Sequence, residues 1–280
     1  MKVKTIAKNI WSYLLVKIIL GGIISIIIPM LINKFILESI FDLIGLNEVT
    51  NRAIRVFITT IFLMPFLYIV LFKSDIKQTI SQAVSKLQLT KILTWLTISI
   101  VIIVSVFLLL HFTNHIEIIT VSAPKKIIVN LILILGLVIA EELFFRGILY
   151  KILEQYWGVI IAIIVSSAIF ALLHISNDNT SITSFISVII GGAVLGILYT
   201  NSRNILVPIT FHFGWNLSQV LLGFGLSGGN EFSSLYILKL NMNGSDVITG
   251  GISGVENSII SIIILMILFF HQLKIYLKKS

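Results

Sequence analysis

The sequence contains no cysteine and very little charge. Among its 280 residues there is no Cys, and Asp, Glu, Lys and Arg together make up only 11%. A chain without Cys has no disulfides, no thiolate metal site and no Cys nucleophile. Ordinary soluble domains carry about 25% charged residues. Because so little charge cannot cover the surface of a soluble globule, the composition excludes a soluble enzyme.

Long apolar runs take the place of charge. Hydrophobic residues make up 57% of the chain, and the mean hydropathy is +1.07. A helix that spans a bilayer needs about 20 mostly apolar residues. About eight runs meet this condition, which predicts an all-α, polytopic helix bundle. We interpret residues 1–280 as one membrane domain, with a motif-bearing core at about 126–222. The predicted spans are residues 10–32, 54–72, 90–111, 126–145, 159–175, 182–200, 204–222 and 258–276.

The basic residues predict an orientation. The net charge is +8. Lys and Arg lie mostly between the apolar runs, and the connecting segments that fall on one side of the membrane carry more of them than those on the other side. The positive-inside rule then places both termini and the loops near residues 80 and 157 in the cytoplasm, with residues 223–257 outside. We expect a multi-pass protein of a bacterial cytoplasmic membrane, in contact with membrane lipid. No basic run alternates with aromatic residues, so nucleic-acid binding is not expected.

Three polar motifs interrupt the apolar runs of the predicted core. Ionisable residues inside a membrane are costly, so each is a functional hypothesis by default. The first motif lies in the fourth predicted span, the second ends the fifth, and the third lies in the seventh. Their polar residues are Glu141, Glu142, Arg146, His174, His212 and Asn216.

Helical spacing predicts which of these groups meet. Residues four apart share a helix face, so Glu142 can pair with Arg146 and His212 with Asn216. Glu141 is rotated by about 100° from Glu142 because a helix has about 3.6 residues per turn. One carboxylate is therefore held by the guanidinium, and the other stays available for chemistry.

The depth of the motifs follows from a predicted hairpin between the fourth and fifth spans. The chain should turn near Trp157 and Gly158. Glu141 and His174 then lie at the same level, roughly 24 Å from the turn at about 1.5 Å per residue. We expect all three motifs to reach one polar pocket below the cytoplasmic surface.

Two chemistries fit such a pocket. A carboxylate facing an imidazole suits general-base activation of water, and a second imidazole with an amide one turn away could stabilise an oxyanion. The result would be a hydrolase without a covalent nucleophile. Alternatively, Glu141, His174 and His212 make a plausible ligand set for a divalent metal such as zinc. No other cofactor is indicated.

The three motifs together resemble those of a known family. The pattern is Glu141-Glu142-x-x-x-Arg146, then Phe170-x-x-x-His174, then His212-x-x-x-Asn216. It is similar to the CPBP family of intramembrane proteases, which includes Rce1-type CAAX prenyl endopeptidases and bacterial Abi proteins linked to bacteriocin immunity. The resemblance implies that Glu141 and His174 activate water. It also implies that His212 and Asn216 form the oxyanion hole. Glu142 and Arg146 would be supporting residues.

The sequence therefore predicts an intramembrane endopeptidase. Its substrate would be a membrane-associated peptide or protein segment near the cytoplasmic leaflet. The Ile-, Asn- and Lys-rich composition suggests an AT-rich bacterial genome, which favours peptide processing or bacteriocin immunity over a prenylated substrate. Two alternatives stay open: a non-catalytic membrane scaffold or immunity protein, and a transporter that uses the same pocket. The sequence leaves the metal requirement and the oligomeric state undetermined.

Overall fold

A computed structural model describes residues 89–279, except residues 126, 176, 178, 230 and 231. The predicted spans at 10–32 and 54–72 and the loop near residue 80 lie outside the described residues. A π-helix, Leu143–Tyr150, joins α2 directly to α3. The helices and strands are α1 (Leu89–Phe112), β1 (Ile116–Val121), α2 (Ile127–Glu142), α3 (Lys151–His174), α4 (Ile182–Ser202), α5 (Leu206–Leu221), β2 (Leu238–Met242), α6 (Asp246–Thr249) and α7 (Ile259–Leu277).

The described part of the chain is mostly helical, as predicted. Each predicted span that falls in it corresponds to a helix. By length and composition, four helical segments can cross a membrane: Leu89–Phe112, Ile127–His174, Ile182–Ser202 and Ile259–Leu277. The helix α5 is 16 residues long, or about 24 Å. It is therefore shorter than the roughly 30 Å hydrocarbon layer.

The segment Ile127–His174 reverses direction at Gly158. This residue has φ 80° and ψ 173°, a backbone conformation that is essentially restricted to glycine. The ring centroids of Phe145 and Phe170 are only 4.7 Å apart. In one straight helix these residues would be separated by roughly 37 Å. The predicted hairpin near Trp157 and Gly158 is therefore confirmed, and the segment contains two antiparallel arms.

Small residues let the helices approach closely around the hairpin. A Cβ added to Gly192 on α4 would lie 3.1 Å from Ser167 Cβ on α3, which is tighter than ordinary contact. A Cβ on Gly214 of α5 would overlap the side chain of Ser99 on α1. The first contact seats α4 closely against α3, and the second seats α5 closely against α1. The helices α3, α4 and α5 all contribute to the wall of the cavity described below.

The two ends of the bundle differ in structure. We call the end that holds Gly158, Ser202 and Leu277 the turn end, and the end that holds His174 and Leu221 the loop end. At the loop end, β1 pairs with β2 in an antiparallel two-stranded sheet, with Ile116 opposite Met242. This sheet was not predicted: residues 223–257 were expected to form a loop, so the all-α prediction holds for most of the described chain but not here.

Candidate functional site

One cavity collects the residues of all three motifs. It has a volume of about 590 Å³ and is lined by α2, the π-helix, α3, α4, α5, α7 and the segment after α5. Four predicted catalytic residues line it: Glu141, His174, His212 and Asn216. The sequence separates them by up to 75 positions, and the hairpin at Gly158 is one of the features that bring them together.

The supporting pair of the first motif forms as predicted. Arg146 Nη1 donates to Glu142 Oε1 at 2.9 Å, and both side chains are buried. Arg146 Nη2 donates to the Gly192 carbonyl on α4 at 2.8 Å. The guanidinium carbon also lies 5.3 Å from the ring centroid of Phe170. Arg146 therefore ties α2, α3 and α4 together behind the cavity, inside a π-helix of the kind often found at functional sites.

Glu142 also holds one of the cavity imidazoles. His212 Nδ1 lies 3.0 Å from Glu142 Oε1, the same oxygen that accepts from Arg146. Because a carboxylate accepts, Nδ1–H of His212 is the donor. The ring then turns its Nε2 towards Glu141, whose Oε2 is 3.8 Å away. Glu142 therefore accepts hydrogen bonds from two side chains, the Arg146 guanidinium and the His212 imidazole.

Glu141 is the carboxylate that stays available. Its side chain is 31% exposed, and it accepts no hydrogen bond from any described residue. As the helical spacing predicts, Arg146 pairs with Glu142, and the neighbouring Glu141 faces the cavity instead. The predicted partner differs, however: the imidazole within 4 Å of Glu141 is His212, whereas no ion pair joins Glu141 to His174 in the described chain.

His174 is held in a defined tautomer. Its Nδ1 lies 2.8 Å from the Phe170 carbonyl oxygen. A carbonyl can only accept, so Nδ1 carries the proton, and in the neutral ring Nε2 is an acceptor. The Phe170 ring also packs against the imidazole, with centroids 4.3 Å apart. The neutral ring of His174 therefore presents Nε2 as an acceptor in the cavity wall.

Asn216 lines the cavity without making the predicted bond to His212. His212 turns to Glu142 instead, because that carboxylate on α2 packs against the face of α5 that carries the imidazole. The Asn216 amide has no hydrogen bond to another described residue. Both of its N–H donors are available to a bound group.

The site also contains polar residues that the three motifs do not predict, among them Glu256 and its partner Gln219. Glu256 lies in the 3₁₀ turn Val255–Asn257 and lines the cavity. Gln219 Nε2 donates to Glu256 Oε2 at 3.1 Å, and the Ser227 backbone N–H donates to Oε1 at 3.0 Å. Gln219 is three residues after Asn216, so its polarity in an apolar helix was a usable signal. Nothing in the sequence connects Glu256 with the motifs.

The predicted metal ligands do not form a metal site as arranged. Within residues 89–279, no group of three His, Asp or Glu side chains is placed to hold a metal ion. Zinc needs donor atoms that converge to about 2.0–2.2 Å from one point. Glu141 and His212 approach each other, but His174 lies outside that contact. As arranged, the described side chains do not converge on one metal position.

The position of the cavity makes two of the sequence-based expectations incompatible. Its wall includes Asn177, Ser227 and Gly229, which all lie at the loop end. His174 is the last residue of α3, so it sits at the loop end, far from the turn at Gly158. A pocket below the cytoplasmic surface and an outer loop at 223–257 were both expected. Because the cavity and this loop share one end, these two expectations exclude each other.

Comparison with known proteins supports the motif reading. Residues 123–218 match the family model of the type II CAAX prenyl endopeptidase Rce1-like proteins, a family of proteases. The matched segment contains all six predicted site residues. No curated protein and no solved structure matches the chain. The four apolar helices make this a multi-pass membrane protein. The resemblance predicted from the three motifs is therefore confirmed over residues 123–218, the segment that holds them, which is similar to the Rce1-like proteins.

Proposed function

We propose that this protein is an intramembrane endopeptidase that hydrolyses a peptide bond with water activated by Glu141. The observation that carries this proposal is the unequal use of two adjacent carboxylates. Glu142 is bound to Arg146 and His212, whereas Glu141 faces the cavity and accepts no hydrogen bond from a described residue. A positioned carboxylate of this kind is suited to general-base catalysis.

The first step is attack of water on the scissile carbonyl carbon. A water between Glu141 and His174 would donate one proton to the Glu141 carboxylate. His174 Nε2 would accept the second O–H hydrogen bond and orient the oxygen, since Nδ1–H is committed to the Phe170 carbonyl. Glu141 then returns the proton to the leaving nitrogen as the C–N bond breaks. The products are a new carboxyl terminus and a new amino terminus.

The second contribution is stabilisation of the oxyanion. Donors aimed at the developing charge act mainly in the transition state. The Asn216 amide supplies N–H donors from α5, one turn away from His212. His212 adds a donor at Nε2 when its ring is protonated, because Nδ1–H is already bonded to Glu142. In this scheme Glu142 is a positioning residue that acts through His212.

We further propose that substrates enter at the loop end and that this end faces away from the cytoplasm. The positive-inside rule supports this orientation, because among the described residues more of the basic ones lie at the turn end. At the turn end they are Lys91, Lys151, Arg203, Lys274, Lys278 and Lys279, and at the loop end they include Lys125 and Lys239. With the cavity open to the outer side, the substrate would reach it from outside, and not from the cytoplasmic leaflet as the sequence leads us to expect. This orientation favours a secreted peptide or an incoming bacteriocin as the substrate.

Comparative peptidomics tests the proposed activity. Membranes and medium would be compared from cells that carry the wild type, Glu141→Gln, or Glu154→Gln as a matched control at the turn end. We expect a precursor peptide to accumulate with Glu141→Gln only. Identical peptide pools for all three proteins, together with an unchanged phenotype, would contradict the protease and support a non-catalytic scaffold or immunity protein.

A further inference from the structure

Glu256 is a cavity residue that the hydrolytic scheme does not use. It follows α6 in the chain, outside the segment that matches the family model. Its two carboxylate oxygens accept from the Gln219 amide and the Ser227 backbone N–H. An ionised carboxylate offers about four acceptor positions, so capacity remains on both oxygens. Within the described chain, no Lys, Arg or His forms an ion pair with it.

Negative charge predominates in the cavity wall. Among the described residues, the carboxylates of Glu141 and Glu256 line it, and neither Lys nor Arg does. The positive charge that His212 adds when protonated faces Glu141, not Glu256. Arg146 lies behind the wall and is neutralised by Glu142. Clefts with low-dielectric walls and charge of one sign concentrate ligands of the opposite sign. A substrate group near Glu256 is therefore expected to be cationic.

The dimensions place Glu256 within reach of a substrate bound at Glu141. A cavity of about 590 Å³ is roughly 10 Å across, which is about three residues of extended chain. A side chain one to three positions from the scissile bond can therefore lie against Glu256. The stems of Lys and Arg are apolar, which suits the apolar parts of the same wall.

We propose that Glu256 determines specificity by binding a Lys or Arg side chain of the substrate, close to the scissile bond. This inference rests on the proposed endopeptidase function. It adds to that function a substrate class: apolar peptides with a basic residue at one fixed position. The carboxylate is held in place for this role from two directions, by Gln219 on α5 and by the Ser227 backbone.

A purely structural role for Glu256 would have a different effect on peptide binding. The same turn is also anchored through its backbone, since Ser187 Oγ donates to the Glu256 carbonyl and the Glu256 N–H donates to Gln219 Oε1 at 3.1 Å. If Glu256 only fastened this turn, loss of its charge would weaken binding of charged and neutral peptides alike. Ser187→Ala removes one anchor without a change in charge and is therefore the matched control.

Peptide binding to the full chain in lipid nanodiscs separates the two roles. The protein would carry Glu141→Gln, so that turnover does not interfere. The probes are seven-residue Leu/Ala peptides with an acetylated amino terminus, an amidated carboxyl terminus and a neutral fluorophore. One set carries Lys at each position in turn, and a matched set carries norleucine instead. Fluorescence anisotropy gives the Kd of each.

We expect the Lys peptide to bind about tenfold more tightly than its norleucine counterpart at one position, as for one hydrogen bond to a charged group. Added Glu256→Gln should abolish this preference and leave the norleucine Kd unchanged. Glu256→Asp, which keeps the charge, and Ser187→Ala should retain it. If Glu256→Gln does not fold, Glu256→Leu takes its place, and this variant should likewise bind the Lys and norleucine peptides equally.

Three results would overturn the inference: no Lys peptide that binds better than norleucine, a preference that survives loss of the Glu256 charge, or equal weakening of both peptide sets. The proposed hydrolysis is judged separately, by incubation of the same peptides with the protein that retains Glu141. A Glu256-dependent preference without cleavage would contradict the endopeptidase and leave the binding role of Glu256 standing.

Discussion

The turn end and the cavity at the loop end use the same polar residue types in opposite ways. At the turn end, Arg203 donates to Glu154 at 2.7 Å, and this hydrogen bond raises the pKa of Arg203 above its ordinary value. In the cavity, Glu141 and Asn216 have no hydrogen bond to a described residue. The turn-end pair uses its hydrogen-bonding groups on each other, whereas Glu141 and Asn216 keep theirs for a group bound in the cavity, which is what a functional site needs.

The largest effect is expected at Glu141. Glu141→Gln removes the base and keeps the shape, so cleavage should fall by about 10²–10⁴, and the Tm should change little because no hydrogen bond to a described residue is lost. Cleavage kinetics and thermal unfolding of the purified protein measure both. The control Glu154→Gln should cleave like the wild type. Normal cleavage by Glu141→Gln would show that the available carboxylate is not the base.

Asn216 should give the next largest effect. Asn216→Ala should lower kcat by on the order of 10²–10³, as for loss of one oxyanion-hole donor, with little change in KM. Asn216→Asp should be at least as harmful, because a carboxylate lacks N–H donors and repels the oxyanion. Steady-state kinetics at several substrate concentrations separate kcat from KM. A near wild-type kcat in Asn216→Ala would remove this residue from the site.

Glu142 should respond mainly in stability. Removal of one partner from a buried ion pair typically costs about 3–5 kcal/mol, and Glu142 holds both Arg146 and His212. Glu142→Gln should therefore unfold at a clearly lower Tm than the wild type, with lower abundance in the membrane, unlike Glu141→Gln. Denaturation in detergent measures the difference. If the stability losses of the two variants were exchanged, the assignment of held and available carboxylates would be reversed.

The smallest effect is expected at the turn end. The pair Glu154–Arg203 is partly exposed, since 47% of the Arg203 side chain is accessible. Exposed pairs contribute about 0.2–1 kcal/mol. Glu154→Gln should therefore shift the Tm only slightly, and high salt should shrink the difference from the wild type further. A loss as large as that of Glu142→Gln would contradict the contrast between a solvated pair and a buried one.

The elements that local spacing determines were predictable from the sequence. Helical periodicity gives the Glu142–Arg146 pair, because both residues lie on one helix face. The apolar runs and Gly158 give the hairpin. Contacts between distant segments were not predictable in the same way. His212 bonds to Glu142 rather than to Asn216, because the packing of α5 against α2 decides its partner.

The loop end shows the same limit more strongly. The strands β1 and β2 lie more than 100 residues apart, and each is only five or six residues long. Their pairing depends on how the intervening helices pack, because that packing sets the positions of the two strands. Glu256 enters the cavity for the same reason: the 3₁₀ turn that carries it is positioned by contacts with Gln219 and Ser187, not by a local pattern.

Hydrolysis in the cavity at the loop end can be tested by reversible blockage of that cavity. The chain has no native Cys, so Ser227→Cys in the cavity wall and Ser202→Cys at the turn end each provide a single thiol. Both proteins would be labelled to completion with a methanethiosulfonate reagent and assayed on the precursor found by peptidomics. We expect labelled Ser227→Cys to stop cleaving and to recover after reduction, whereas labelled Ser202→Cys should cleave throughout. Full cleavage by completely labelled Ser227→Cys would contradict hydrolysis in this cavity.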